Sequence, residues 1–187
     1  ASDVYKRQLG DELLFSMVTP FLIRELGIST SQYAWLAGVI GAAGTIVGAM
    51  AGGWWIQRVG LRKALWPLTL LMNLNLWLYV WLSIAKPDPT TTSGIAAIAA
   101  IHGMEQVAAG LGNAALLIFL LTTCSKEFRA THYAIGSAIM SIPGTLLGGA
   151  AGGFVESYGY TALYILAFIA AIPGMCLIPF VPIREEE

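Results

Sequence analysis

Six stretches of this sequence, at about residues 9–26, 32–58, 64–85, 94–124, 131–158 and 160–182, are each long and apolar enough to cross a bilayer, and the breaks between them are short. A span needs roughly 20 mostly apolar residues. Inside hydrocarbon the backbone finds no water, so its polar groups must bond to one another within a helix. The pattern therefore predicts an all-α membrane protein with six transmembrane helices. Composition agrees, with 57% hydrophobic and 11% charged residues and a mean hydropathy of +0.71. A soluble domain is excluded on those values. The formal net charge of −1 and the scattered cations leave no footprint for nucleic acid.

Turn chemistry marks the breaks. Leu26-Gly27-Ile28-Ser29-Thr30-Ser31 closes one helix and caps the next, Lys86-Pro87-Asp88-Pro89 and the Thr90–Ser93 run form a loop, and Ser125–Arg129 is a short charged turn. Gly159 supplies the last break. Counting cations by alternate loops puts Arg58, Arg62, Lys63, Lys126, Arg129 and Arg184 on one side, against Arg24 and Lys86 on the other. Cytoplasmic loops carry the excess of Lys and Arg, so the C-terminus is expected in the cytoplasm.

The loop Gly53-Trp54-Trp55-Ile56-Gln57-Arg58-Val59-Gly60-Leu61-Arg62-Lys63 holds three of those cations and no acid. Its glycines allow tight packing under the helix ends, and its cations meet the negative end of a helix dipole. With Gly53, Arg58, Gly60, Arg62 and Lys63 in place, the spacing resembles the loop signature of the major facilitator superfamily of transporters. The family's acidic position is Gln57 here, and its first distal Arg is Leu61.

The spans repeat one order of character. The first and fourth hold intramembrane acids. The second (Gly38, Gly41, Gly44, Gly48, Gly52) and fifth (Gly136, Gly144, Gly148, Gly152) are glycine-rich, with small-xxx-small spacings that let backbones approach closely. The third has only Asn73 and Asn75 as strongly polar members, and the sixth has no charge from Thr161 to Ile183. Three helices followed by three more of the same order is the pattern of the inverted three-helix repeats in one half of a twelve-helix major facilitator fold.

Candidate functional residues follow from the cost of charge in lipid. In the fourth span His102, Glu105, Gln106 and Asn113 fall at helical spacings on one face. An ionised Glu at mid-membrane costs a few kcal/mol or more, on the order of the insertion scale, and such residues usually face a cavity or a partner. Glu105 and His102 can form a proton-coupling or substrate-contacting pair, or a buried helix-to-helix bond without a transport role. In the first span Asp11 and Glu12 are neighbours about 100° apart on a helix, so they cannot face the same way. One is expected to reach the central path. No enzyme signature is present, no cofactor is implied, and one His with one Glu on a helix face is too few ligands for a metal. Cys124 and Cys176 have no metal-ligand spacing and are expected to be free thiols.

A narrower resemblance rests on an ordered set of short matches: Leu9-Gly10-Asp11, Ser16, Phe21-Leu22-Ile23-Arg24, Thr45-Ile46-Val47-Gly48-Ala49, Gly52-Gly53, Gln57-Arg58, Glu105, Gly110-x-Gly112-x-Ala114, Ala130-Thr131 with Ala134, Ser137-Ala138, Gly152 and Val155-Glu156. Together they resemble the C-terminal half of the AmpG-type muropeptide permeases. Two departures bear on cargo. Those permeases carry Glu-Asn-Leu-Cys-Gly-Gly where this chain has Glu105-Gln106-Val107-Ala108-Ala109-Gly110, and an Arg where it has Gly144 after Pro143. The resemblance implies a proton-coupled permease of the bacterial inner membrane. Its partners are then lipid, a small polar solute and an N-terminal six-helix half outside this sequence. Another cargo on the same fold (a sugar, a peptide or acetyl-coenzyme A) and a non-transporting six-span scaffold remain the alternatives.

Residues 1–8 read differently from the rest. Asp3-Val4-Tyr5-Lys6-Arg7-Gln8 resembles the translation of a transposase adapter used in sequencing libraries. The expected organisation is an artefact at 1–8, a bundle at 9–182 and a cytoplasmic tail at 183–187.

Overall fold

The structure, a computed structural model, describes residues 16–124 and 127–177, and every regular element among them is helical. Helix α1 covers residues 16–25, with its last turn, Phe21–Glu25, in π-helical form. Helix α2 is Thr30–Val59, interrupted by a π-helical stretch at Leu36–Gly41. Helices α3 (Leu61–Ala85) and α4 (Thr92–Thr123) follow. Helix α5, Arg129–Leu177, breaks at Gly159 into arms at 129–158 and 160–177.

Four stretches among the described residues are long and apolar enough to cross a membrane: Thr30–Val59, Leu61–Ala85, Thr92–Thr122 and Gly148–Ile172. The last straddles Gly159, so its apolar run is shared by the two arms. Part of the first predicted span lies outside the described residues, as do Asp11, Glu12, the 1–8 segment and the 183–187 tail.

Local chemistry sets the helix ends. Gly27 takes φ 72° after α1, which an L side chain resists. Ser29 then closes a capping box at the start of α2: its hydroxyl accepts from the Gln32 N–H at 3.3 Å, and its own N–H donates to Gln32 Oε1 at 3.0 Å. Thr91 caps α4 by accepting from the Gly94 N–H at 3.1 Å. At the far end of α3, the Lys86 ammonium pairs with Glu25 at the end of α1.

Two one-residue turns share a conformation. Gly60, between α2 and α3, has φ 84° and ψ 152°, and Gly159, within α5, has φ 80° and ψ 168°. That region is essentially glycine-only, so each glycine is what allows two helices to meet with a single residue between them.

In lipid, burial from water does not drive helices together, and close packing takes its place. Helices α2 and α4 show the consequence. A Cβ on Gly48 would sit 2.0 Å from the Val107 carbonyl oxygen, and one on Gly110 would sit 2.3 Å from that of Thr45. Gly44 and Gly52 face α4 in the same row, against Gly103 and Leu111. Across the bundle, Gly148 and Gly152 are turned to Ser16 and Met17 of α1. The surroundings of Gly144 lie outside the described residues. The interior is closed by an aromatic cluster in which Phe21, Tyr79 and Tyr164 from α1, α3 and α5 meet edge-on, with centroids 5.3 to 6.4 Å apart.

Candidate functional site

Glu105 lies in the middle of α4, and both it and His102 are only 3% exposed. Their three-residue separation places them on one helical face, with His102 Nδ1 3.5 Å from Glu105 Oε2. From α3, the Tyr79 hydroxyl reaches the same His102 nitrogen at 3.1 Å. On the other side the Gln106 amide N–H donates to Glu105 Oε2 at 3.1 Å, and Gln106 Oε1 accepts from the Thr45 hydroxyl of α2 at 2.9 Å. Thr45 also faces the Gly41 carbonyl at 3.0 Å. It has one proton for two acceptors, so that donation is shared. The result is a polar chain, Tyr79–His102–Glu105–Gln106–Thr45, running from α3 through α4 to α2.

Low local polarity makes such a chain strong when satisfied and costly when broken. Gln106 fits because one amide end donates and the other accepts, bridging an acid and a hydroxyl. The ionisable side chains in contact here are Glu105 and His102 of α4 and Tyr79 of α3, whose ring also packs edge-on against Tyr164 of α5.

One nitrogen of His102 is left over. Its Nε2 is buried with no hydrogen-bond partner among the described residues and points at Gly41, where an added Cβ would lie 3.4 Å away. Beside these residues lies a cavity of about 300 Å³ between α1, α2 and α4, lined by Val18, Thr19, Tyr33, Ala37, Gly41, Ala42, Thr45, His102 and Gln106. The Thr19 and Tyr33 hydroxyls close one side of it at 2.6 Å from each other. Both π-helical stretches adjoin it: Phe21 begins one of them two residues after Thr19, and Ala37 and Gly41 lie in the other. Single π turns inside α-helices occur frequently at functional sites.

Of the fourth-span candidates, the structure brings together His102, Glu105 and Gln106. Asn113 is exposed two turns further on. The basic loop sits at the opposite end of α2 from the cavity. There Arg58 lies over the Trp54 ring, 4.6 Å from its centroid, and Arg62 and Lys63 are exposed. A Cβ on Gly53 would meet nothing within 4 Å, and Gly60 carries the turn. Sequence reading missed Tyr79 and Tyr33, and read Gly41 only as one of the packing glycines of the second span. Tyr79 stands six residues before the end of α3, close to where interfacial tyrosines are enriched, so its position carried no distinct signal. Among the described residues, no group of three or more His, Cys, Asp and Glu could hold a metal ion, and Cys124 is a free thiol.

Comparison with known sequences adds the wider context. The sequence model of the Major Facilitator Superfamily matches residues 8–187. The anhydromuropeptide permease of Escherichia coli strain K12 is 33% identical over 171 residues, which is 91% of this chain and 34% of that protein. A putative transporter, AmpG 4, of Rickettsia felis is 30% identical over 173 residues, 92% of this chain and 40% of that one. The chain thus spans between about a third and two-fifths of the length of these relatives.

Proposed function

The chain belongs to the major facilitator superfamily, and on that premise we propose that it is the C-terminal half of a permease that carries anhydro-muropeptide across the bacterial inner membrane together with protons. The observation that carries this reading is the buried Glu105, hydrogen-bonded to Gln106 and set beside His102 and Tyr79 within an apolar helical bundle.

Glu105 has two states with different bonding. Ionised, its carboxylate only accepts, as it does from Gln106. Protonated, it gains one donor and loses its charge. A buried charge costs several kcal/mol, on the order of the effective desolvation penalty, so gain or loss of that proton changes the balance among α2, α3 and α4. This is the kind of bistable element that alternating access requires. The two halves rock around a midplane site, and the proton on Glu105 biases which face is open. In this reading Asp11 is the second acid of the path and Glu12 faces a neighbouring helix or the interface.

The twelve-helix architecture has its own support. The like-conformed turns at Gly60 and Gly159 fall between the second and third helices of each proposed three-helix repeat. The N-terminal six-helix half completes the cavity, lipid surrounds the bundle, and the cation-rich loops and the C-terminus face the cytoplasm.

Uptake by the full-length protein in proteoliposomes tests the reading. Labelled anhydro-muropeptide should accumulate when an inward proton gradient is imposed and should not when the gradient is collapsed. Accumulation of acetyl-coenzyme A, a free sugar or a peptide instead would reassign the cargo. No gradient-driven uptake of any of them would favour a scaffold.

A further inference from the structure

We propose that the turn between α2 and α3 is a binding site for the headgroup of an anionic phospholipid, held by Arg58, Arg62 and Lys63 and framed by Trp54 and Trp66. The inference goes beyond the permease reading and needs only that the chain spans a membrane.

Charge balance is the first observation. Between Glu25 and Asp88 the sequence has no acid, and its cations there are Arg58, Arg62, Lys63 and Lys86. Lys86 pairs with Glu25 at the far end of α3. The other three are exposed, and none of them forms an ion pair among the described residues. Gln57, exposed beside Arg58, is uncharged where the superfamily's loop carries an acid, so the turn supplies no counter-ion of its own. The helix dipoles do not supply one for all three either. Arg58 lies in the last turn of α2, at the negative end. Arg62 and Lys63 fall in the first turn of α3, at the positive end, where cations are disfavoured. Two cations set against their own helix dipole do not stabilise that helix, and an anion from outside offsets both.

Geometry places the cations at the depth of lipid phosphate. Trp54 precedes Arg58 by four residues on α2, and Trp66 follows Arg62 by four on α3. Each indole therefore lies one helical turn, about 6 Å, deeper along its helix than its cation. Both indoles are exposed, at 57% and 47%. Tryptophan settles where hydrocarbon meets headgroups, which puts the cations among the phosphates. The Arg58 guanidinium lies over the Trp54 ring, 4.6 Å from its centroid, and is held on that outer surface. On the inner side Ile56, Leu61 and Leu65 pack in one buried cluster with Leu111 and Ala115 of α4, so the turn is seated on the bundle with its cations outward. A free phosphate would meet the cations alone, whereas a phospholipid also sets its chains against the two indoles.

The experiment is native mass spectrometry of the full-length protein, released from detergent and titrated with phosphatidylglycerol or with phosphatidylcholine of the same acyl chains. Tighter binding of phosphatidylglycerol is expected. A Lys or Arg near an anionic membrane surface contributes about fivefold, so Arg58→Gln, Arg62→Gln and Lys63→Gln should each weaken that binding by about this factor. The triple variant should remove the preference. Gln57→Asp keeps all three cations and adds a counter-charge, and should weaken binding about as much as the loss of one cation. Lys86→Gln, which removes a cation already paired, should bind as the wild type does. If the triple variant does not fold, the single variants and Gln57→Asp decide. Equal binding of the two lipids by the wild type, a preference that survives the triple variant, or an equal loss in Lys86→Gln overturns the proposal. So does displacement of the lipid by equimolar glycerol 3-phosphate, which would make the turn a site for free phosphate. A preference that emerges only when Glu185, Glu186 and Glu187, outside the described residues, are changed to Gln would give the turn to that acidic stretch and overturns it as well.

Discussion

The Tyr79 hydroxyl of α3 and the His102 ring of α4 meet at 3.1 Å, deep in the bundle. This bond ties the helix that carries Glu105 to one that carries no acid. It also sets Nδ1 of the ring toward α3 and leaves Nε2 against Gly41 of α2.

Tyr79→Phe keeps the ring contacts to Phe21 and Tyr164 and removes only the hydroxyl. Hydrogen bonds between membrane helices average about 0.6 kcal/mol and reach about 1.7. The expected loss is therefore about 1 kcal/mol in denaturant unfolding of the full-length protein. Tyr79→Ala, which also opens a cavity, should cost roughly 3–5 kcal/mol by analogy with Phe→Ala. Equal losses for the two would mean that packing contributes nothing beyond the hydroxyl.

Gly48→Ala places a methyl 2.0 Å from the Val107 carbonyl, and backbone cannot move aside as a flexible side chain can. Overpacking of this kind costs about 1–3 kcal/mol or more. Gly53→Ala lies on the same helix with nothing within 4 Å and should be neutral or stabilising by up to about 1 kcal/mol, since Ala is the better helix former. Thermal unfolding of the pair gives the comparison. A tolerated Gly48→Ala would contradict the close approach of α2 and α4.

Gly60→Ala and Gly159→Ala should each cost about 1–3 kcal/mol, because both glycines hold a backbone conformation that L residues rarely adopt. Similar losses in folded yield and Tm are expected at the two sites. A silent Gly159→Ala would break the likeness between the turns, and with it the support for a three-helix repeat.

Much of this was legible because it is local. Gly27, Ser29 and Gly159 act within a turn or two of their own position, and their turn chemistry reads directly from the residues. The glycine rows of α2 and α5 were legible for a related reason: a four-residue period is one helical face, whatever it packs on. The partners were not legible. Tyr79 and Thr45 reach His102 and Gln106 from 23 and 61 residues away, and no local pattern encodes that register. Asn113 shows the limit of periodicity. It shares the nominal face of Glu105, yet it is exposed two turns on, because a helix face is buried only as far as a neighbour covers it. The π-helical stretches carry no composition signal at all.

Asp88 gives a pH prediction outside the membrane. Its carboxylate accepts from the Thr90 hydroxyl at 2.7 Å and the Thr90 N–H at 2.9 Å, and these bonds hold its pKa below the ordinary 3.8. A depressed carboxyl stabilises the loop above its unfolded pKa and loses that contribution as pH falls through the lower folded value. Amide exchange at Thr90 should therefore stay protected at pH 5 and above, in order-of-magnitude terms of ordinary carboxyl pKa values, and open only in stronger acid. Opening at near-neutral pH would contradict the assignment. Asp88→Asn should remove the acid dependence.

The central claim is that Glu105 carries the coupled proton. The most direct measurement is uptake of labelled anhydro-muropeptide by full-length Glu105→Gln in proteoliposomes, run both with an imposed proton gradient and as exchange at equal pH. Gln keeps the size and hydrogen-bonding reach of the carboxyl but cannot ionise. The account predicts that gradient-driven accumulation is abolished while exchange at equal pH persists. Accumulation at the wild-type level would remove Glu105 from the coupling mechanism and leave it as a structural hydrogen bond between helices.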